Sequence, residues 1–374
     1  MQEHSPCESM AFGLEEYSSL VSKESSHVDD IKEHVIKDGL KIIYKNIIFD
    51  DVSLPFHTTL KKELLNGIKH VEIDNCVFVK DVYINVAFET FSIKQSCFEG
   101  KFYINNQYSN PDNIVKIETL YIEDVKFPAN FKLHNCEIKN FVLKDTDFEK
   151  NADFFKTKFL TNQDIVFHAI NFRALALFGD TFFKEHLLFE YVTFAGYSHF
   201  RKATFCKDLN LEYANIEKEM NFFGVKGLDR KSSVKLTSQE TYRTVKYQLQ
   251  KVGNIIDSNK YHALELQKKK ESVCKCSNLF WKTFSDCLTL SIHKISSNYS
   301  TNWPLALVWI IAIGFLTSYV ITGLPLFGQF YKYSSLLTSL DDFCGIYWLF
   351  MLNKIILGYL YYQFVTAIRK DTRK

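Results

Sequence analysis

The stretch FGDTFFKEHLLFEYVTFAGYSHFRKATF, Phe178–Phe205, places Phe at 178, 183, 189, 194, 200 and 205. Steps of five and six residues match neither a helix, which repeats every 3.6, nor a strand, which repeats every two. The spacing extends in both directions. Upstream, Ile73, Phe78, Tyr83, Phe88, Ile93, Phe98 and Tyr103 fall five apart. After a polar insertion, Ile117, Ile122, Phe127, Leu133, Ile138, Leu143, Phe148, Phe154 and Phe159 continue at five or six. A shorter insertion over 161–164 precedes Phe167, Phe172 and the quoted stretch, and Leu211, Ile216 and Phe222 close the series. Of these 27 rungs 16 are Phe, nearly half of the 34 in the chain, so the spacing is where the Phe content is used.

Fixed self-similarity over a long span marks a solenoid, whose units bury their faces only against neighbours. The residue two before a rung is often small: Cys76, Ser96, Cys136, Thr146, Ala152, Thr157, Ala176, Thr181, Ser198, Ala203 and Ala214. One large and one small inward residue per unit would let a narrow tube close without voids. Val86, Phe91, Leu187 and Val192 depart from this rule and predict distorted coils.

This alternation resembles the pentapeptide-repeat family, in its variant with spacing alternating five and six. The resemblance implies a right-handed quadrilateral β-helix over 41–228, with four units per coil and about seven coils. At the roughly 4.8 Å strand spacing these make a rod on the order of 30 to 35 Å long. Phe148, Phe154, Phe159, Phe178, Phe183, Phe189, Phe194, Phe200 and Phe205 form its expected repeat core.

Composition excludes several classes. The 374 residues carry a formal net charge of +2, too balanced to recommend nucleic acid as a partner. Between Ile73 and Phe222, 17 Lys and Arg face 21 Asp and Glu, too slight an excess for a DNA-mimicking rod. The nine Cys lack paired spacing and suit reduced thiols in the cytosol. Cys274 and Cys276 form a CxC without a second pair or a His cluster, so no metal is expected. No GxSxG, HExxH, GxGxxG or P-loop occurs. With His134, His168, His186 and His199 read as surface or loop residues rather than ligands, the chain is expected to be non-enzymatic and to need no cofactor.

Residues 1–40 are polar, lack the apolar core of a signal peptide, and suit a mobile leader or a cap. Residues 41–70 fit either a cap or an irregular first coil. After the ladder, 229–273 reads as a basic helical hairpin. Thr237 and Glu240 suit a capping box for its first helix, Tyr242, Val245, Leu249 and Val252 form one apolar face, and Gly253 stops it. Ile256, Ala263, Leu264 and Leu266 carry the second helix. From Arg230 to Glu271 ten Lys and Arg outnumber four Asp and Glu, which suits a surface beside anionic lipid. Over 274–300, Leu279, Phe280, Phe284, Leu288 and Ile292 align as an interfacial amphipathic helix.

The remainder, 301–374, reads as a two-span domain. WPLALVWIIAIGFLTSYVITGLPL, 303–326, meets the roughly 20 apolar residues a bilayer requires. A second apolar stretch, 343–368, is interrupted by Lys354. Positive charge before the first span and after the second places the rod and the C-terminus in the cytosol, at the inner face of the membrane. Lys354 can snorkel to the outer interface, making 343–353 re-entrant, or it can face a pore or partner.

The order of these parts resembles bacterial pentapeptide-repeat membrane proteins with a two-span, ion-channel-like C-terminal domain. The matching residues are Lys294, Ser297, Tyr299, Trp303, Leu307 and Trp309, then Lys354, Leu357, Gly358, Tyr359, Phe364, Ala367, Ile368 and Arg369. That family places a pore helix and a glycine-containing filter between the spans. Here 328–352 has no TVGYG-like run and only Gly328 and Gly345, so a selectivity filter is not evident. Two functions follow as expectations. One is a membrane-anchored scaffold whose rod meets a cytosolic protein. The other is an oligomeric, channel-like effector, associating through its transmembrane helices with Asn353, Lys354 and Gly358 at the pore or oligomer contact.

Overall fold

Parallel pairing of short strands turns the ladder into a β-solenoid of about seven turns. The computed structural model describes residues 35–50, 55–105, 114–275, 281–323 and 330–372. The leader expected over 1–40 therefore lies outside the described residues up to 34, as do Leu279, Phe280 and Cys276. The chain separates into two units, Met1–Thr241 and Tyr242–Lys374.

In the first unit, strand register sorts the rungs into four columns. The first runs through Phe49, Phe78, Phe98, Phe127, Phe148, Phe172 and Phe194. Its seven rings stack with centroids 4.4 to 5.3 Å apart and within 16° of parallel. Phe88, Ile117, Ile138, Phe159, Phe183 and Phe205 form the second. Tyr44, Ile73, Ile93, Ile122, Leu143, Phe167 and Phe189 form the third. Ile84, Ile104 and Leu133 begin the fourth, which continues in the stacked rings of Phe154, Phe178, Phe200 and Phe222. All nine expected core Phe are at most 1% exposed, and full burial of each contributes roughly 1.5–3 kcal/mol.

Three rungs need correction. On the fourth column the inward residues are Ile84 and Ile104, at 1% and 0% exposure, rather than Tyr83 and Tyr103. One residue of slip turns a strand side chain to the opposite face, so neighbouring apolar residues cannot be separated by five-residue spacing alone. Tyr83 instead bonds Asp81 at 2.6 Å, and the Lys132 ammonium sits 4.4 Å from the Tyr103 ring centre. Ile216, near the last turn, is only half-buried. The distortion expected at bulky substitutes for small residues falls on some of them. Phe91, Leu187 and Val192 are fully buried, and Phe91 is paired in register on both sides. The register shifts between Leu187–Phe194, the strand that holds Leu187 and Val192, and Leu209–Ile216.

A second periodic signal lies three residues before a rung. Asn46, Asn75, Gln95, Asp124, Asn135, Asp145, Lys156, Ala169, Asp180, Tyr191 and Lys202 all have φ between 44° and 59°. Asn and Asp tolerate this left-handed conformation because their short polar side chains bond locally, and they hold six of the eleven positions.

The solenoid begins earlier than its ladder. Lys41–Lys45 pairs in parallel with His70–Asp74, and Ile48–Phe49 with Val77–Phe78, so residues 41–49 belong to the first coil. Val35–Asp38 covers its open edge by antiparallel pairing. Helix α1, Phe56–Leu65, sets Phe56 against Tyr44, Phe49 and Phe78, covering the start of the Phe stack. After the last strands come α2, Lys231–Leu236, and the start of α3, Gln239–Lys251. The cap of α3 is Ser238 rather than Thr237. Ser238 Oγ accepts the Thr241 N–H at 3.2 Å, whereas Thr237 closes α2 through Ser233. Leu211 N–H donates to Thr241 Oγ1 at 3.0 Å.

The second unit contains the rest of α3 and helices α4 (Ile255–Lys275), α5 (Trp281–Ser297), α6 (Trp303–Thr322), α7 (Phe330–Ser334) and α8 (Tyr347–Thr372). On α4 the buried residues are Ser258, Tyr261, Ala263 and Glu265, so of the expected apolar set only Ala263 is buried and Ile256 is exposed. Cys274 and Cys287 form a disulfide across α4 and α5, with Cα atoms 5.4 Å apart. This corrects the expectation that all Cys are reduced. Cys97 is disulfide-bonded too, while Cys76, Cys136, Cys206 and Cys344 are free thiols. Distant sequence positions met across two packed helices, which spacing along the chain does not report.

Candidate functional site

Helix α6 is the one described helix long and apolar enough to cross a membrane; 28% of its most apolar window is buried. Asn302 caps it, its side chain accepting the Leu305 N–H at 3.1 Å, and Pro304 sits in the first turn, where its missing N–H has no role. Gly323 ends it at φ 70°. Helix α8 is continuous for 26 residues, so the segment 347–353 belongs to it rather than forming a separate re-entrant element. Asn353, Lys354, Gln363 and four Tyr keep α8 below the same apolar standard.

Ile310 of α6 packs with Leu357 and Leu360 of α8. Short helix α7 lies against α6, with Phe315 and Phe330 stacked at 4.4 Å. A Cβ on Gly314 would stand 2.4 Å from Ser334 Oγ and 2.8 Å from the Phe330 carbonyl, so only glycine allows this approach. Sequence reasoning missed Gly314; a glycine inside an apolar span is the signal it left.

The three expected contact residues go to different places. Asn353 is buried and donates to Thr317 Oγ1 at 2.9 Å and to the Tyr333 carbonyl at 3.3 Å. It joins α6, α7 and α8 within one chain. Lys354 is half-buried and donates to the Ser335 carbonyl at 2.9 Å, its ammonium 5.8 and 5.4 Å from the Phe343 and Phe350 ring centres. Gly358 is exposed, with open space where a Cβ would be. It sits in a stripe of Trp348, Met351, Ile355, Tyr362 and Val365, which are 57% to 68% exposed. Their spacing alternates three and four residues, the seam of a helix pair.

Between α5 and α6 lies the least ordinary backbone among the described residues. Asn298, Tyr299 and Ser300 have φ of 48°, 62° and 58°, three consecutive non-glycine residues in the left-handed region. Each costs roughly 1–2 kcal/mol, so the surroundings must hold the turn. Ser297 Oγ and Ser300 Oγ both donate to Gln363 Oε1, at 2.9 and 2.6 Å, and Ser297 Oγ accepts the Ser300 N–H at 2.9 Å. Because the Ser300 proton is committed to Gln363, the His293 Nε2 contact at 2.9 Å is a donation to Ser300 Oγ. Lys370 Nζ donates to the Tyr299 carbonyl at 3.3 Å, and Ser296 meets the Tyr359 hydroxyl at 3.2 Å. Ser297, Tyr299 and Ser300 are all at most 2% exposed.

On α3 and α4, Glu265 receives Arg243 at 3.1 Å, Lys246 at 2.7 Å and His262 at 3.4 Å. Burial raises its pKa, but the bonds from Lys246 and Arg243 outweigh that and leave it below the ordinary carboxylate range. Phe284, Leu288 and Ile292 of α5 stay exposed, as the amphipathic reading expects, and Ile295 extends them.

On the solenoid, Asp164, Glu185 and His186 bring ligand atoms within 4.8 Å of one another. Lys207 pairs with Glu185 and Asp208 with His186, so protein partners already occupy this group. His134, expected at the surface or in a loop, is 4% exposed, with Nε2 2.9 Å from Asp153 and its ring edge-on to Phe155. It follows rung Leu133 directly, where the strand carries it under the next coil.

No known family model, curated protein or solved structure matches this chain.

Proposed function

We propose that the chain is a membrane-anchored, non-enzymatic scaffold whose β-solenoid meets a cytosolic protein partner. In this reading the solenoid is a right-handed, four-sided pentapeptide-repeat β-helix, α6 and α8 both cross the cytoplasmic membrane of a bacterium, and both termini are cytosolic. One observation carries it: a solenoid core built from stacked Phe rings precedes a 20-residue apolar helix with a largely exposed surface. An apolar helix exposed in this way is stable in hydrocarbon, whereas in water it would aggregate. The exposed apolar stripe of α5 supports an adjoining interfacial helix.

Two free thiols test the topology. Cys344, exposed between α7 and α8, should react with a membrane-impermeant maleimide on intact cells. Cys206 on the solenoid should react only after lysis. Labelling of both, or of neither before lysis, overturns the two-pass arrangement. Retention of the chain in the membrane pellet after alkaline carbonate tests the anchoring itself.

The second reading, an oligomeric channel-like effector, is favoured by the heptad-spaced stripe on α8 with Gly358 at its centre. Small residues at such seams let membrane helices approach closely. In this version self-association runs through Gly358, while Asn353 and Lys354 serve contacts within the chain. Current across a bilayer holding the purified protein supports it; a monomer in mild detergent removes it.

A further inference from the structure

The Cys274–Cys287 disulfide stands on the side of the membrane where the scaffold reading puts the cytosol, a compartment that keeps thiols reduced. Disulfides found there are usually ones that open and close. The surroundings of this pair suit such exchange. Cys274 lies in the last turn of α4 and is exposed, and Cys287, 13 residues on, is half-buried in α5. Exposed disulfides are the ones that small thiols reach and reduce. Cys97, also disulfide-bonded, is by contrast fully buried.

Helix α5 is held differently along its length. Near its end Ser296 and Ser297 are buried; Ser296 meets the Tyr359 hydroxyl and Ser297 donates to Gln363, both on α8. Its first half has no such anchor. No residue from Thr283 to Leu290 is buried, and Phe284 and Leu288 are 57% and 48% exposed. Among the described residues 283–290, the disulfide is the one side-chain bond to another helix. With so little area removed from water, packing alone holds this half weakly on α4.

We propose that this disulfide is a redox latch on the first half of α5, opened by a low-molecular-weight thiol of the glutathione class. The incoming thiolate attacks the exposed Cys274 Sγ, the bond between the two Sγ atoms breaks, and Cys287 leaves as a thiolate that takes up a proton. A second thiolate then attacks the small-molecule sulfur of the mixed disulfide, and Cys274 leaves and is protonated in turn. Two small thiols thereby give up two electrons and two protons, become one small disulfide, and leave two cysteine thiols. Closed, the latch joins α4 stiffly to the helix that leads into α6. Open, it lets the first turns of α5 separate from α4. The scaffold reading supplies the reducing compartment, and the proposal rests on it for that setting.

The test uses the full chain in mild detergent, titrated with mixtures of oxidised and reduced glutathione and trapped at each ratio with a maleimide. Peptide mapping reports whether Cys274 and Cys287 are bonded or labelled. The folded chain should pass from the bonded to the labelled form as reduced glutathione rises, and return when the ratio is reversed. Hydrogen exchange over 283–290 should be roughly tenfold faster in the open form, with α6 unchanged. Cys287→Ser, and separately Cys274→Ser, should show the open-form exchange at every ratio. A pair that keeps one state at every ratio until urea unfolds the chain overturns the proposal, as does equal exchange in the two forms. Labelling of Cys206 on intact cells is a different failure, that of the cytosolic placement, and titration of the purified chain does not register it.

Discussion

Asn353 Nδ2 donates to Thr317 Oγ1 at 2.9 Å, joining the apolar helix α6 to α8 from a position that the channel-like expectation put at a pore or oligomer contact. Both partners are buried, at 3% and 5% exposure, so the bond has no water to exchange with. Asn353→Leu should strand the Thr317 hydroxyl and the Tyr333 carbonyl. Leaving such groups unpaired costs about 1–3 kcal/mol. The expected outcome is a lower melting temperature in detergent with an unchanged protomer number. An altered protomer number at wild-type stability would return Asn353 to an intermolecular contact.

The stacked Phe column predicts sharp contrasts along the solenoid. Phe148, between Phe127 and Phe172 at 5.1 and 5.2 Å, should cost about 3–5 kcal/mol when replaced by Ala. Tyr83→Ala, outside the core, should cost under about 1 kcal/mol, although both residues belong to one sequence ladder. Urea midpoints compare them directly. Equal losses would place Tyr83 in the core and refute the register that puts Ile84 there.

Gly314 sets the distance between α6 and α7. Gly314→Val should push Phe330 and Ser334 away and lower the melting temperature. Pairing it with Ser334→Ala should recover part of that loss, because the nearest obstacle is the Ser334 hydroxyl. No loss in the single variant would mean that α7 does not rest on α6.

Glu265 gives a pH dependence with a definite sign. Its folded pKa lies below the ordinary value, so its stabilisation is present above the unfolded carboxylate pKa of about 4.3 and is lost as pH falls through the folded value. Chemical stability of the helical unit should therefore fall with acidification below about pH 4.3. The Glu265→Gln variant should show a shallower fall. An identical slope in wild type and variant would assign the acid loss to other groups.

Much of the first unit was legible because its information is periodic. A large residue every fifth or sixth position over some 150 residues has few folded solutions, since each rung must meet another directly above it. The left-handed positions three residues before the rungs, rich in Asn and Asp, were equally present in the sequence but hidden by the stronger Phe signal. Helix α6 was legible for the same kind of reason: twenty apolar residues are a local property, needing no partner to be recognised.

Sequence alone thus determined the solenoid, the identities of nine core Phe and the apolar helix α6, whereas the second apolar stretch it read over 343–368 became α8, which falls short of the same apolar standard. Tertiary structure decided which of two adjacent residues faces inward at Ile84 and Ile104, because a one-residue slip reverses a strand side chain and leaves the spacing almost unchanged. It also decided that Asn353 is satisfied within the chain, that Gly358 is exposed, and that Lys370 reaches a turn 71 residues away. Those outcomes depend on which groups packing brings within bonding distance, and a hydrogen bond is set by distance in space rather than by separation along the chain.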